Sequence, residues 1–200
     1  MSTPIFDAAD HKNATDGRLE RTVATRRAIL LAARELMVHG NSQPTAKAIA
    51  DQAGVTTRTL FRHFREIDEL YSSLVKEAVL NINAVMDEPF QVDTTNWSDQ
   101  LDEVVNRRAR LYEFLLPLYV SSAWLRGMQG IDLRHSIQRR RRRLNEILPP
   151  QLSSNKDLFE ALDATLSIEF WVSLRRGQHL STKRAKLVVQ HTIRALTQSA

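Results

Sequence analysis

Apolar residues recur at intervals of three and four along almost the whole chain, and no stretch alternates with a period of two. That pattern predicts helices rather than strands. Residues 1–20 read as a polar, disordered tail. Ile29, Ala33, Leu36 and Met37 form a helical stripe that stops at Gly40, a suitable C-terminal stop. A short helix follows from Thr45, with Ile49 and Ala50 inward, and ends at Ala53-Gly54; another begins at Thr56. Asp68 is placed to cap a longer helix that carries Leu70, Leu74, Ala78, Ile82 and Val85 along one face. Pro89 and the polar run Gln91–Asn96 close it and mark a boundary. Beyond it the pattern gives a helix from about Ser98 towards Pro117, a broken piece containing Trp124, and a helix over 132–148 that ends at Pro149-Pro150. Two last helices, 156–177 and 182–197, are divided by Gly177, with Asn155 or Ser154 and then Ser181 as N-caps.

Composition narrows the class. With 42% hydrophobic and 26% charged residues the chain is an ordinary globular one, and 200 residues fit one large domain or two small ones. It has no cysteine, which removes disulfides, thiol catalysis and cysteine-ligated metals. The N-terminus lacks the apolar core of a signal peptide, and no stretch approaches the roughly 18 apolar residues of a membrane span, so the expected location is cytoplasmic. The six histidines show no metal-ligand spacing. No G-x-S-x-G, phosphate-cradling glycine loop or H-E-x-x-H occurs, so neither an enzyme nor a bound cofactor is expected.

Charge is unevenly placed. Between Arg18 and Arg65 nine Arg or Lys face three acids, whereas the rest of the chain is close to neutral. A basic N-terminal quarter on a near-neutral body suits either a polyanion-binding module or a merely soluble surface. Residues 45–64 decide between them. Two short helices joined by Ala53-Gly54-Val55 have the spacing of a helix-turn-helix. Unrolled at about 100° per residue, the second helix turns Leu60 and Phe64 inward and spreads Thr57, Phe61, Arg58 and Arg62 over another arc of about 140°. On DNA, guanidinium forks read guanine edges and an aromatic ring lies against sugar or a thymine methyl; otherwise Phe61 is buried against the body. Thr59 and His63 sit on the next flank, placed for phosphates.

The stretch Thr25–Leu70 resembles the DNA-binding domain of the TetR family of transcriptional regulators. The likeness rests on the first helix and its terminal glycine, Ile49-Ala50, Ala53-Gly54-Val55, Leu60-Phe61-x-His63-Phe64 and Leu70. It implies an all-α protein in which an N-terminal helix-turn-helix domain (21–67) is joined by a connecting helix (68–87) to a larger ligand-binding and dimerisation domain (88–200). It implies DNA contacts at Thr45, Lys47, Thr57, Arg58, Thr59, Phe61, Arg62 and His63. Two positions depart from the family's habit: Phe61 stands where Tyr is usual and Ile67 where Lys is usual, each removing a phosphate contact. The expected activity is that of a homodimeric repressor, released from a near-palindromic operator in double-stranded DNA by a small-molecule effector. The rival is a helical protein that binds nucleic acid constitutively.

In the second domain the helix 156–177 is apolar on two sides, with Leu158, Leu162 and Val172 on one; a helix with two apolar faces needs two partners, and one is either a second subunit or the protein's own core. Pro117 is expected to break or kink its helix. The aromatic residues around it, Tyr112, Phe114, Tyr119 and Trp124, either bound a ligand cavity or fill the core. Arg139–Arg143 cover more than one helical turn, so they cannot share one solvated face. Arg140 or Arg141 either enters the interior to meet an anionic ligand or ends in an ion pair.

Overall fold

Helix α1, Ala14–Val38, begins earlier than the pattern suggests. The computed structural model describes residues 14–90 and 96–198, so the expected tail is corrected at residues 14–20, and residues 1–13 lie outside the described residues. No proline interrupts 14–28, and extending a helix already anchored at buried Ile29 adds one hydrogen bond per residue fixed, which offsets the roughly 1 kcal/mol cost of Gly17. Gly40 ends α1 with φ of 93°. Its N–H bonds to Met37 O at 3.1 Å and that of Asn41 to Leu36 O at 2.9 Å, a Schellman closure that needs the left-handed residue.

Helices α2 (Ala46–Gln52) and α3 (Thr57–His63) are both capped by threonine. Thr45 Oγ1 accepts from Ala48 N at 3.2 Å and Thr56 Oγ1 from Thr59 N at 3.1 Å. Gly54, with φ of 67°, repeats the Schellman closure between them through Val55 N to Ala50 O at 3.0 Å. Ile29, Ala33, Met37, Ile49, Leu60 and Phe64 are buried together and fix the three helices against one another.

Helix α4, Ile67–Asp87, leads out of this unit. Glu66, not Asp68, holds its cap position; Glu69 closes the first turn by accepting from Arg65 N at 2.7 Å, and Asp68 is paired instead with Arg126. Helix α5, Trp97–Tyr119, runs through Pro117 rather than breaking there. Only two helical residues, Leu118 and Tyr119, follow that proline, so the missing N–H costs a single bond near the helix end. Helix α6, Ser122–Gly127, packs closely on α4. A Cβ on Gly127 would lie 2.5 Å from Tyr71 O and 2.6 Å from Val75 Cγ2, so only glycine permits this approach.

Helices α7 (Arg134–Ile147), α8 (Pro150–Ser153), α9 (Lys156–Thr165), α10 (Ile168–Val172) and α11 (Thr182–Gln198) complete the second part, and a π-helical turn, Ser173–Gly177, follows α10. No strand occurs among the described residues, so the fold is all-α.

The expected single helix 156–177 is corrected to two segments that meet at Leu166–Ser167. Ser167 Oγ caps the second by accepting from Phe170 N at 3.2 Å. The carbonyl of Leu166 accepts from Arg108 Nη1 at 2.7 Å and Tyr112 Oη at 2.8 Å, so the interruption is tied to α5. Arg108 is itself buried, and a helix C-terminus is a favourable place for its charge. Leu158 and Leu162 are buried in the chain's own core, which removes them from any surface between subunits; Val172 is half-buried. No helix among the described residues is long and apolar enough to cross a membrane.

Candidate nucleic-acid interface and helical cavity

On α3 the inward and outward faces separate cleanly. Leu60 and Phe64 are fully buried, each worth about 1.5–3 kcal/mol of apolar burial, and they orient the helix. Thr57, Arg58, Phe61 and Arg62 are exposed on the other side, and Phe61 leaves 45% of its surface open, which removes the reading that it is buried. Neither Arg58 nor Arg62 has a hydrogen-bond or ion-pair partner among the described residues. Two unpaired guanidiniums on a rigid helix flank an exposed ring, a surface suited to a groove lined with acceptors.

The flanking residues are more constrained. Thr59 Oγ1 lies 3.0 Å from Thr56 Oγ1, and Thr45 serves as a cap. Lys47 is exposed and bound to Asp51 at 2.7 Å, a solvent-screened pair that yields readily to a phosphate. His63 is half-buried; burial first, then the cations Arg62 and Arg26, hold its imidazole below the usual range, so it is neutral at pH 7.

Arg26 is a residue the charge pattern misassigned. Its guanidinium lies 4.0 Å over the Phe64 ring and donates to His63 O at 2.7 Å and Ser73 Oγ at 2.9 Å, fixing the end of α3 to α1 and α4. Arg34 likewise stacks 3.5 Å over Phe114. These two cations of the basic quarter therefore serve packing. Nothing in a linear count of arginines distinguishes them from Arg58.

A second feature is a cavity of about 240 Å³ bounded by α4, α5, α6, α7 and α10. Tyr112, Trp124 and Arg140 line it together; Phe114 and Arg141 do not. Phe114 sits in a separate groove against α1 and α4, because an unbroken α5 turns residues two apart by about 200°. Arg141 binds Glu160 at 2.5 Å and Asp163 at 2.9 Å. Tyr119, one of the aromatics grouped from the sequence, lines it as well; Glu169, absent from the expected set, completes the lining and accepts from Tyr119 Oη at 2.8 Å. Spacing along an intact helix groups Tyr119 with Tyr112 and Leu115. Glu169 carried no signal, since its position depends on the break at Leu166.

The arginine run resolves mostly into ion pairs. Arg139 meets Asp87, Arg140 meets Asp163 at 3.2 Å, Arg141 meets Glu160 and Asp163, and Arg143 meets Glu146 at 3.7 Å.

Comparison with known proteins concerns the segment that carries the first of these surfaces. Residues 29–74 match the family described as bacterial regulatory proteins, tetR family. Over these residues the chain is similar to the TetR family. The matched segment contains all of α2 and α3. No curated protein matches it. Among solved structures, one similar chain comes from Mesorhizobium loti MAFF303099 and is assigned to TetR-family transcriptional regulators. It is 15% identical, with a TM-score of 0.47 over 90% of this chain and 98% of that one.

Proposed function

We propose that the protein is a cytoplasmic, homodimeric transcriptional repressor that binds a near-palindromic operator and is released from it by a small molecule. The observation that carries this reading is the outward face of α3. Arg58 and Arg62 read base edges there, Phe61 and Thr57 fill the groove wall, and Thr45, Lys47, Thr59 and His63 lie towards the phosphate backbones. Phe61 contributes ring contact without the hydroxyl of a tyrosine.

The aromatic cavity is the effector site in this reading. Two connections lead from it to α3. One is α4 itself. The other is α6, which sequence alone does not single out: Trp124 borders the cavity, Gly127 rests on Tyr71 and Val75, and Tyr71 Oη donates to Pro44 O beside α2 at 2.8 Å. Ser122 N also donates to Ser42 O at 3.2 Å. A ligand that prefers one arrangement of these helices shifts the spacing of two α3 helices, and operator must weaken ligand binding by the factor through which ligand weakens operator binding.

With Leu158 and Leu162 in the core, the second subunit is met by what remains outside, Val172 and the exposed Leu187 of α11, in an isologous contact.

The test is capture of fragmented genomic DNA by the purified protein, followed by sequencing. Retained fragments should share an inverted repeat. Retention without any shared sequence would reduce the protein to a non-specific binder. Equal affinity of a releasing compound for free and operator-bound protein would remove the coupling.

A further inference from the structure

We propose that the cavity takes an apolar organic cation, whose charged head sits between the Glu169 carboxylate and the rings of Tyr119 and Trp124. This deepens the small-molecule reading above and rests on it.

Charge bookkeeping inside the cavity decides the sign. Two ionised side chains line it, Arg140 and Glu169. Arg140 is already met: its Nε lies 3.2 Å from Oδ1 of Asp163, whose side chain is only 8% exposed. Asp163 is held from its other oxygen by Arg141 at 2.9 Å, and Arg141 also carries Glu160. Arg140 and Arg141 thus pair with Asp163 and Glu160, while the third guanidinium nearby, that of buried Arg108, is turned to the Leu166 carbonyl and does not line the cavity. An anionic ligand would have to compete for Arg140 with a carboxylate that is already desolvated and in place. Of the two readings that the sequence leaves open for Arg140 and Arg141, an anionic ligand or an ion pair, the structure shows ion pairs.

Glu169, exposed at the mouth of the cavity, is different. Its hydrogen bond comes from a neutral donor, Tyr119 Oη, and it has no ion-pair partner among the described residues. Burial first, and then that bond to Glu169, push the Tyr119 hydroxyl up to about 12, so at pH 7 it remains a donor and brings no second charge. Of the two ionised groups on the lining, Glu169 is therefore the one without a counter-ion among the described residues.

Ring geometry agrees. The Tyr119 and Trp124 centroids lie 5.1 Å apart with planes inclined at 47°, and Tyr112 lines the same space. Inclined aromatic faces beside a carboxylate attract a cation through both quadrupole and charge, more strongly when the head is weakly hydrated. Most of the remaining wall is aliphatic, including Val79, Ile82, Leu111 and Leu133, which suits an apolar body. The volume, about 240 Å³, is at the small end of ligand pockets and limits that body to one ring or a short chain.

The test uses three probes of one shape, phenylpropylammonium, phenylpropanol and phenylpropanoate, titrated calorimetrically into the full-length protein at pH 7. The cation should bind about tenfold or more tightly than the alcohol, and the carboxylate weakest. Glu169→Gln should erase most of the preference of cation over alcohol while leaving alcohol binding nearly unchanged. The wild-type ranking needs no variant, so it decides the matter even if Glu169→Gln folds poorly. If the alcohol or the carboxylate equals or exceeds the cation, the inference fails while the small-molecule reading stands. If none of the three binds, the cavity is not an effector site for bodies of this size, and both fall together.

Discussion

Arg58 and His63 lie five residues apart on one short helix, and their surroundings give them different tasks. Arg58 is exposed and has no hydrogen-bond or ion-pair partner among the described residues, so under the proposed function its loss removes an interaction with a particular base pair. Arg58→Ala should cost about 1–3 kcal/mol at one operator position and little elsewhere, measured on a panel of operator variants. Identical relative affinities for the variant and wild type would show that Arg58 reads no base. His63 is half-buried, and its imidazole is held below the usual range by burial, Arg62 and Arg26. A folded-state value lower than the unfolded one means that the unfolded chain binds the proton more readily. The stability His63 contributes is therefore fully present above about pH 6.5, the unfolded value, and is lost as the pH falls below it. Denaturant midpoints at pH 7.5 and 5.5 should accordingly differ less in His63→Gln than in wild type, and an equal acid drop in both would locate the effect elsewhere.

Helices in this protein meet at distances that single residues set. Gly127 lets α6 approach the Tyr71 carbonyl and Val75 side chain of α4, and a methyl group there has no space unless backbone moves. Gly127→Ala should destabilise by about 1–3 kcal/mol through overpacking, a fall in melting temperature of roughly 2–4 °C for each kcal/mol at this chain length. Thermal melts followed by circular dichroism decide it; an unchanged midpoint would mean that the two helices part at no cost. A contrasting junction is Leu166–Ser167, where the interruption is stabilised by partners and not by glycine. Ser167 caps, while Arg108 and Tyr112 donate to the freed carbonyl. Ser167→Ala should cost about 1 kcal/mol, the usual worth of a lost N-cap, read from the same melts.

Across the whole molecule the three tyrosines behave alike. Burial comes first among the causes that raise Tyr71, Tyr112 and Tyr119 above the usual phenol value, Tyr119 to about 12. A raised folded value contributes stability that is complete below the unfolded value near 10 and disappears as the pH climbs through the folded one. An alkaline titration followed by tyrosinate absorbance should show no ionisation near pH 10 in the native protein, and unfolding should accompany the first that occurs. Reversible ionisation of a tyrosine near pH 10 with the fold intact would contradict this burial. Assembly is tested on the same scale: mass measurement at micromolar concentration should give twice 22.9 kDa, and a clean monomer would remove the paired α3 helices and with them the palindromic operator.

The helix-turn-helix was legible in the sequence because its determinants are local. Threonine caps, glycines in the left-handed region and apolar residues three or four apart act within one or two turns, so spacing alone placed Leu60 and Phe64 inside and Arg58, Phe61 and Arg62 outside. The helices of the second domain were legible for the same reason, but their breaks were not. Pro117 falls where a helix tolerates it, and the true interruption at Leu166 is tied to donors from α5, more than fifty residues away in the chain. Misplacing these breaks grouped Phe114 with the cavity aromatics, left Leu158 and Leu162 open to a subunit contact, and hid Glu169. The arginine run shows the same limit. Its sequence announces five cations, yet the acids that meet them come chiefly from α4 and α9, and only the tertiary structure pairs Arg140 with Asp163 while leaving Glu169 unmatched. Backbone conformation follows from neighbours along the chain; charge balance and cavity shape follow from neighbours across it.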